Sequence, residues 1–365
     1  MRPLLIACAV LALSCSRKPP ERYLLFTGSV SGYLEACSCP GTPEGGLNAS
    51  AHLAREFRKS CPDALLVDAG CFTPDTTDTL NAWFMARGMI AAGYDAIAIG
   101  ACDTPGAYKG LWNNLPVLDE EKPCIVINGV LLVRVIDEKV PDFSAARSHD
   151  YLVFLSSAGK EIDETLAKEH GPDAIIEARG DFQAFSVGKT LVVPSVPRGM
   201  SLGVLKLSEK GAEAWFIPVT PETPTDHEVD LVLEEYGRAY RAHVQRTGTK
   251  LSFRGPGFCK FCHREEYDAW KASEHSDAFE TLVSEGKTEN PWCLTCHTTG
   301  FGKGGFVDQE KTPQLAGITC ESCHPGGKCP DNPPAKGNLS ECRACHNPDQ
   351  SPDFREDEYW QKIKH

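Results

Sequence analysis

From Tyr23 to about Pro218 short apolar runs alternate with amphipathic stretches: Tyr23-Leu24-Leu25-Phe26, Ala64-Leu65-Leu66-Val67, Ala96-Ile97-Ala98-Ile99, Cys124-Ile125-Val126-Ile127, Tyr151-Leu152-Val153-Phe154 and Ala174-Ile175-Ile176. Runs of about four residues, rich in branched side chains, predict strands, and the spacing within 80–92 and 162–169 predicts helices between them. Strands alternating with helices predict an α/β unit over residues 22–218. Pro221-Glu222-Thr223-Pro224 then breaks the chain, and Thr225-Asp226-His227-Glu228 has the form of a capping box. Val229, Val232, Leu233, Tyr236, Tyr240 and Val244 follow at helical spacing, predicting one amphipathic linker helix within 219–255 that ends near Gly248. Beyond Gly255-Pro256-Gly257 the aliphatic runs stop, and Cys, His, Gly and Pro dominate 256–365. Such a segment lacks the side chains for an ordinary core, so something else must fill it.

Composition sharpens this picture. An apolar fraction of 41% fits a folded chain, and a formal net charge of -13 excludes nucleic acid as a partner, which would require a Lys and Arg surplus. It favours instead a redox partner protein with a basic docking patch. Seventeen cysteines point to an exported protein. Met1-Arg2, the apolar run from Leu4 to Leu13 and Ala12-Leu13-Ser14-Cys15 have the form of a lipoprotein signal over 1–15, with Cys15 lipidated and the protein anchored at the membrane on the periplasmic side or the outer surface.

Four copies of C-x-x-C-H name the missing core: Cys259, Cys262 and His263; Cys293, Cys296 and His297; Cys320, Cys323 and His324; Cys342, Cys345 and His346. Two thiols three positions apart reach the two vinyl groups of one haem, and the adjoining imidazole binds its iron, so four covalently attached haem c groups are expected. Zinc bound by Cys pairs is the competing reading, and the invariable following His argues against it. All methionines, at 1, 85, 89 and 200, precede the segment, which leaves His275 and His365 as its candidate distal ligands; His227 and His243 on the linker helix are weaker ones. Six histidines in 256–365, less four proximal ones, leave two for four irons, so at least one open iron is expected.

Residues 256–365 resemble the tetrahaem cytochrome c family whose members accept electrons from hydroxylamine oxidoreductase. The resemblance lies in the first motif followed by Tyr267, Trp270, Ser273, His275, Ala278 and Phe279, in 293–300, in Leu315-Ala316-Gly317-Ile318-Thr319 and in the ending 359–365. It implies a compact, mostly helical module with closely spaced haems and electron transfer as its function. An oxidoreductase acting on a small nitrogen or sulfur compound at an open iron, and a sensor whose haems report a ligand, are the alternatives.

Residues 22–218 resemble the 5'-nucleotidase branch of the metallophosphoesterases through Phe26-Thr27-Gly28, Gly32-Tyr33-Leu34-Glu35, Leu66-Val67-Asp68-Ala69-Gly70 and Gly93-Tyr94-Asp95-Ala96-Ile97-Ala98-Ile99-Gly100. This implies a layered β-sandwich flanked by helices. Where that family has metal ligands, this chain carries Ser29, Ser31, Cys71, Ala101, Cys102, Ser157, Arg179 and Asp181. A dinuclear centre for hydrolysis is therefore not expected. Cys71 and Cys102 occupy positions that converge in the family, with Cys37 and Cys39 close by, so disulfides or a thiol site are expected there.

Overall fold

The computed structural model describes residues 19–36, 45–74, 79–103, 115–247, 252–324, 339–348 and 350–364. Cys15, Cys37, Cys39, Cys329 and His365 lie outside the described residues.

Two six-stranded sheets face each other. The first contains β1 (Arg22–Thr27), β2 (Leu65–Asp68), β3 (Ala96–Ala98), β4 (Val117–Leu118), β11 (Ser201–Ser208) and β12 (Gly211–Pro218), in the order β12-β11-β1-β2-β3-β4. The second contains β5 (Cys124–Ile127), β6 (Val130–Val135), β7 (Tyr151–Ser156), β8 (Ala174–Glu177), β9 (Phe185–Val187) and β10 (Thr190–Pro194), in the order β5-β6-β7-β8-β10-β9. The central strands, β1 to β4 and β6 to β8 with β10, are parallel. Both faces of each sheet are covered, which is why these strands read as unbroken apolar runs.

The strand period of two assigns the faces. Leu24 and Phe26 of β1, Leu65 and Val67 of β2, and Val130 and Leu132 of β6 point between the sheets. Leu25, Leu66 and Ile97 face outward beneath the helices α1 (Leu47–Ser60) and α2 (Thr79–Ala92). Leu131, Val133, Phe154 and Ile175 face the other way, beneath α3 (Lys160–His170). Helix, sheet, sheet, helix is the layered sandwich expected from the sequence.

The helix expected as a linker, α4 (His227–Thr247), does more than link. Its Val229, Val232 and Tyr236 are buried in the same core as α1 and α2. Tyr236 is fully buried, its ring 5.3 Å from Phe84 and 5.9 Å from Tyr240. The cap also differs from the expected box: Asp226 Oδ1 accepts the N–H groups of Glu228 and Val229 at 3.1 and 3.3 Å, and Thr225 instead donates to Asp230. Asp226 is drawn in because it also holds Arg55, at 2.5 and 3.0 Å, pinning the start of α4 to α1.

The chain then breaks into short helices: α5 (Pro256–Cys259), α6 (Arg264–Lys271), α7 (Ala278–Ser284), α8 (Pro291–His297), α9 (Cys320–Cys323), α10 (Leu339–Cys342) and α11 (Glu356–Ile363). Among the described residues their buried apolar core is only Phe279, Leu282, Leu294, Phe301, Phe306 and Leu315. Tyr240 of α4 stacks on Phe301 with centroids 6.0 Å apart, joining this core to the helix layer of the sandwich. A second joint lies at Glu35, which pairs with Lys287 at 3.2 Å and accepts from Asn290 Nδ2 at 2.6 Å.

Candidate functional site

Each C-x-x-C-H motif with described residues closes a helical turn. The N–H of His263 donates to Cys259 O at 2.9 Å, that of His324 to Cys320 O at 2.8 Å and that of His346 to Cys342 O at 2.8 Å; His297 ends α8. Positions i, i+3 and i+4 of a helical turn share a face, so both thiols and the imidazole of each motif project to one side. One covalent haem needs that arrangement, and none of the eight motif cysteines is in a disulfide.

The ring of His297 is already oriented. Its Nδ1 lies 2.5 Å from Ala278 O and 3.0 Å from Thr281 Oγ1. A carbonyl only accepts, so Nδ1 carries the proton and the Nε2 lone pair is left for a metal. His346 Nδ1 approaches Ser351 Oγ at 3.3 Å, and its ring stacks on Phe354 at 4.8 Å.

His275 is half-buried on the short helical turn Glu274–Asp277, and its ring centroid is 6.1 Å from that of His346. Two imidazoles sharing one metal through bonds of about 2 Å have centroids about 6 Å apart. Burial lowers the proton affinity of both rings, which keeps them neutral and able to ligate. The backbone around His275 is held by the segment before the third motif: Ile318 N–H donates to His275 O at 3.0 Å, and Trp270 Nε1 donates to Ile318 O at 2.7 Å. Gly317, at φ +100°, is required there, because a Cβ would come within 2.9 Å of Ser276 O. The motifs also meet one another. The Cys296 thiol hydrogen-bonds to Cys345 and lowers its pKa; Cys259 hydrogen-bonds to Cys320, whose pKa burial nonetheless raises. Burial pushes the Cys323 thiol up to about 11. His263 and the linker-helix residues His227 and His243 are exposed.

A second constellation sits at the ends of β1, β2, β3 and β7. Ser29 N–H donates to Gly70 O at 2.8 Å, Ser31 N–H to Cys71 O at 3.1 Å, and Ala101 N–H to Ser157 Oγ at 2.9 Å. Cys71 and Cys102 form a disulfide with Cα atoms 5.1 Å apart. Their loops can close because Gly70 and Gly100 lie backbone to backbone, where a Cβ on Gly70 would be 2.9 Å from Gly100 Cα. The expected positions thus converge, yet among the described residues no group of three or more His, Cys, Asp or Glu is placed to hold a metal ion. With added manganese, zinc or cobalt the protein is expected to release no phosphate from nucleoside monophosphates, as a colorimetric phosphate assay would check.

Sequence reasoning missed the acids of this edge. Asp103 accepts the N–H groups of Cys71 at 2.7 Å, Gly100 at 2.9 Å and Thr73 at 3.0 Å, and burial raises its pKa. Burial likewise pushes Asp68 up to about 7, against the hydrogen bond from Thr27 Oγ1. Asp163 and Glu177 are both fully buried, with Ser156 Oγ donating to Asp163 at 2.6 Å. Burial and then the Glu177 carboxylate raise the pKa of Asp163, so this pair keeps a proton that the unfolded chain releases near pH 4. Its contribution is therefore fully present below that pH and declines as pH rises, by at most about 1.4 kcal/mol per unit. Asp163→Asn is expected to flatten this decline in urea titrations run from pH 5 to pH 8. The alternation patterns pointed to a core at these positions and carried no sign of paired acids.

Comparison with known proteins gives matches among solved structures, among curated proteins and to one family. Solved structures similar to it include the NAD nucleotidase NadN of Haemophilus influenzae, 14% identical, covering 64% of this chain and 62% of that one, with a TM-score of 0.49. The sulfate thiohydrolase SoxB of Thermus thermophilus is 16% identical over 65% and 63%, TM-score 0.49, and the calcineurin-like phosphoesterase YfkN of Bacillus subtilis 17% over 60% and 97%, TM-score 0.48. Among curated proteins, cytochrome c-554 of Nitrosomonas europaea is 34% identical over 100 residues, 23% of this chain and 43% of that protein. The chain thus spans less than half the length of this relative. Residues 258–325 match the family described as cytochrome c554 and c-prime, which places that likeness in the segment that holds the first three C-x-x-C-H motifs.

Proposed function

We propose that this chain is an exported tetrahaem electron carrier. Its haems are attached through Cys259 and Cys262, Cys293 and Cys296, Cys320 and Cys323, and Cys342 and Cys345, with His263, His297, His324 and His346 as proximal ligands. His275 is the distal ligand opposite His346. The observation that carries this reading is the 6.1 Å separation of those two rings, each on a different helical turn. The sulfur contacts between the second and fourth motifs and between the first and third support a closely spaced haem chain, along which electrons pass one at a time.

The protein's own contribution is to fix the tautomer of His297 through Ala278 O and to lower the proton affinity of His275 and His346 by burial. Lipidation of Cys15 would hold the chain at the periplasmic side of a membrane. Its charge of -13 suits a basic docking patch on a redox partner. The test is haem quantitation after acid-acetone extraction, which should leave four haems per chain on the protein. Fewer retained haems would overturn the tetrahaem assignment.

A further inference from the structure

We propose that the Cys71–Cys102 disulfide is a two-electron redox centre that exchanges electrons with the haem-bearing segment. The inference rests on that segment carrying haem and goes beyond it by giving the electrons a destination inside the same chain.

The two sulfurs differ in access: Cys71 is 2% exposed, whereas Cys102 is half-buried beside the exposed Ala101. Thiol and disulfide chemistry requires one reachable sulfur, and this pair offers one. The backbone around them is strained. Ser29, Ser31 and Cys71 all hold left-handed conformations, at φ 50°, 52° and 61°, at a single junction of two loops. Strain of about 1–3 kcal/mol per residue persists where the surroundings over-determine it, and it concentrates at functional sites. Two hydroxyls at the same strand ends, Ser29 Oγ and Ser195 Oγ, are buried without hydrogen-bond partners. A Cβ on Gly28 would stand 2.7 Å from Ser195 Oγ and 2.9 Å from Ala178 Cα, so these strand ends meet closely. The Asp103 carboxylate, held by the Cys71 N–H at 2.7 Å, disfavours thiolates beside it and so couples reduction to proton uptake.

A short route leads from the disulfide to the second haem-binding motif. Ser31 donates to Cys71 O through its N–H at 3.1 Å and through its hydroxyl at 3.4 Å. Four residues later Glu35 accepts from Asn290, and Asn290 caps α8, which contains Cys293, Cys296 and His297. Four residues span at most about 14 Å, and the turn hydrogen bonds from Tyr33 to Val30 and from Leu34 to Gly32 shorten that reach.

The chemistry balances within the chain and solvent. Two ferrous haems held by the C-x-x-C-H motifs would each supply one electron and become ferric; the sulfur–sulfur bond breaks, and each sulfur takes one electron and one proton to become a thiol. The reverse reaction returns two electrons to ferric haems and two protons to water.

The experiment is an anaerobic titration of the intact haem-loaded protein with titanium(III) citrate, a one-electron donor, followed by alkylation and peptide mass spectrometry. The haem count is measured separately. Wild type is expected to take up two electrons more than it has haems, with alkyl groups appearing on Cys71 and Cys102. The Cys71→Ser/Cys102→Ser protein should take up only as many electrons as haems. Cys293→Ala/Cys296→Ala, which removes the motif on α8, should slow alkylation at Cys102 at least tenfold while the other haems still reduce. A wild-type protein with every haem reduced and the 71–102 peptide still disulfide-linked would overturn the proposal. So would equally fast reduction without the α8 motif. Because the excess is counted against measured haem, a haem content below four tests the tetrahaem reading without deciding this one.

Discussion

His275→Ala is expected to convert one low-spin haem to high spin and to create a new site for carbon monoxide. His275 and His346 are 6.1 Å apart between ring centroids, and burial lowers the proton affinity of both rings. Without the distal imidazole, an iron held by His346 would be left five-coordinate or would take up water, a weaker ligand. Electron paramagnetic resonance would show the loss of one low-spin signal and the gain of one high-spin signal. Carbon monoxide difference spectra would gain about one site per protein. The substitution should leave haem content unchanged, because Cys342 and Cys345, the proposed attachment thiols of the fourth motif, remain. An unaltered spectrum would remove His275 from the ligand set and favour the reading in which an open iron acts on a small substrate.

The second large effect is expected in the helix layer. Tyr236→Ala should destabilise the protein by about 3–5 kcal/mol, the usual cost of deleting a large buried ring. Tyr236 is fully buried and packs against Phe84 and Tyr240, and Tyr240 in turn stacks on Phe301 of the haem-bearing segment. The loss would appear in guanidinium unfolding followed by far-ultraviolet circular dichroism, with haem absorbance as an independent probe of the C-terminal segment. A cost under about 1 kcal/mol, typical of a solvated helix, would show that α4 only connects the two parts. If the two probes shift together, the Tyr240–Phe301 contact couples the sandwich to the cytochrome segment. Separate shifts would mean that each part unfolds by itself.

The sequence by itself determined the main strands and the helical turns of the C-x-x-C-H motifs. Short apolar runs such as Ala64-Leu65-Leu66-Val67 and Tyr151-Leu152-Val153-Phe154 specify strands buried on both faces. The spacing of C-x-x-C-H specifies a helical turn presenting two sulfurs and an imidazole on one face, because i, i+3 and i+4 are neighbours in any helix. Both are local: every residue needed lies within one element.

Only the tertiary structure decided what depends on residues far apart in the chain. The periodicity of α4 showed an apolar face but not its destination, and burial of Tyr236 against α2 made it part of the sandwich. The capping box was legible, but the ion pair of buried Asp226 with exposed Arg55, 171 residues away, drew the capping role to Asp226. Cys71 and Cys102 were expected to converge, and the close approach of Gly70 and Gly100 joined them. The pairing of His275 with His346 spans two separate helical turns, and Asp163 and Glu177 become a proton-holding pair only because α3 packs on β8. Burial and charge neighbours set ring proximity and proton affinity, and both are properties of the packed chain rather than of any stretch of it.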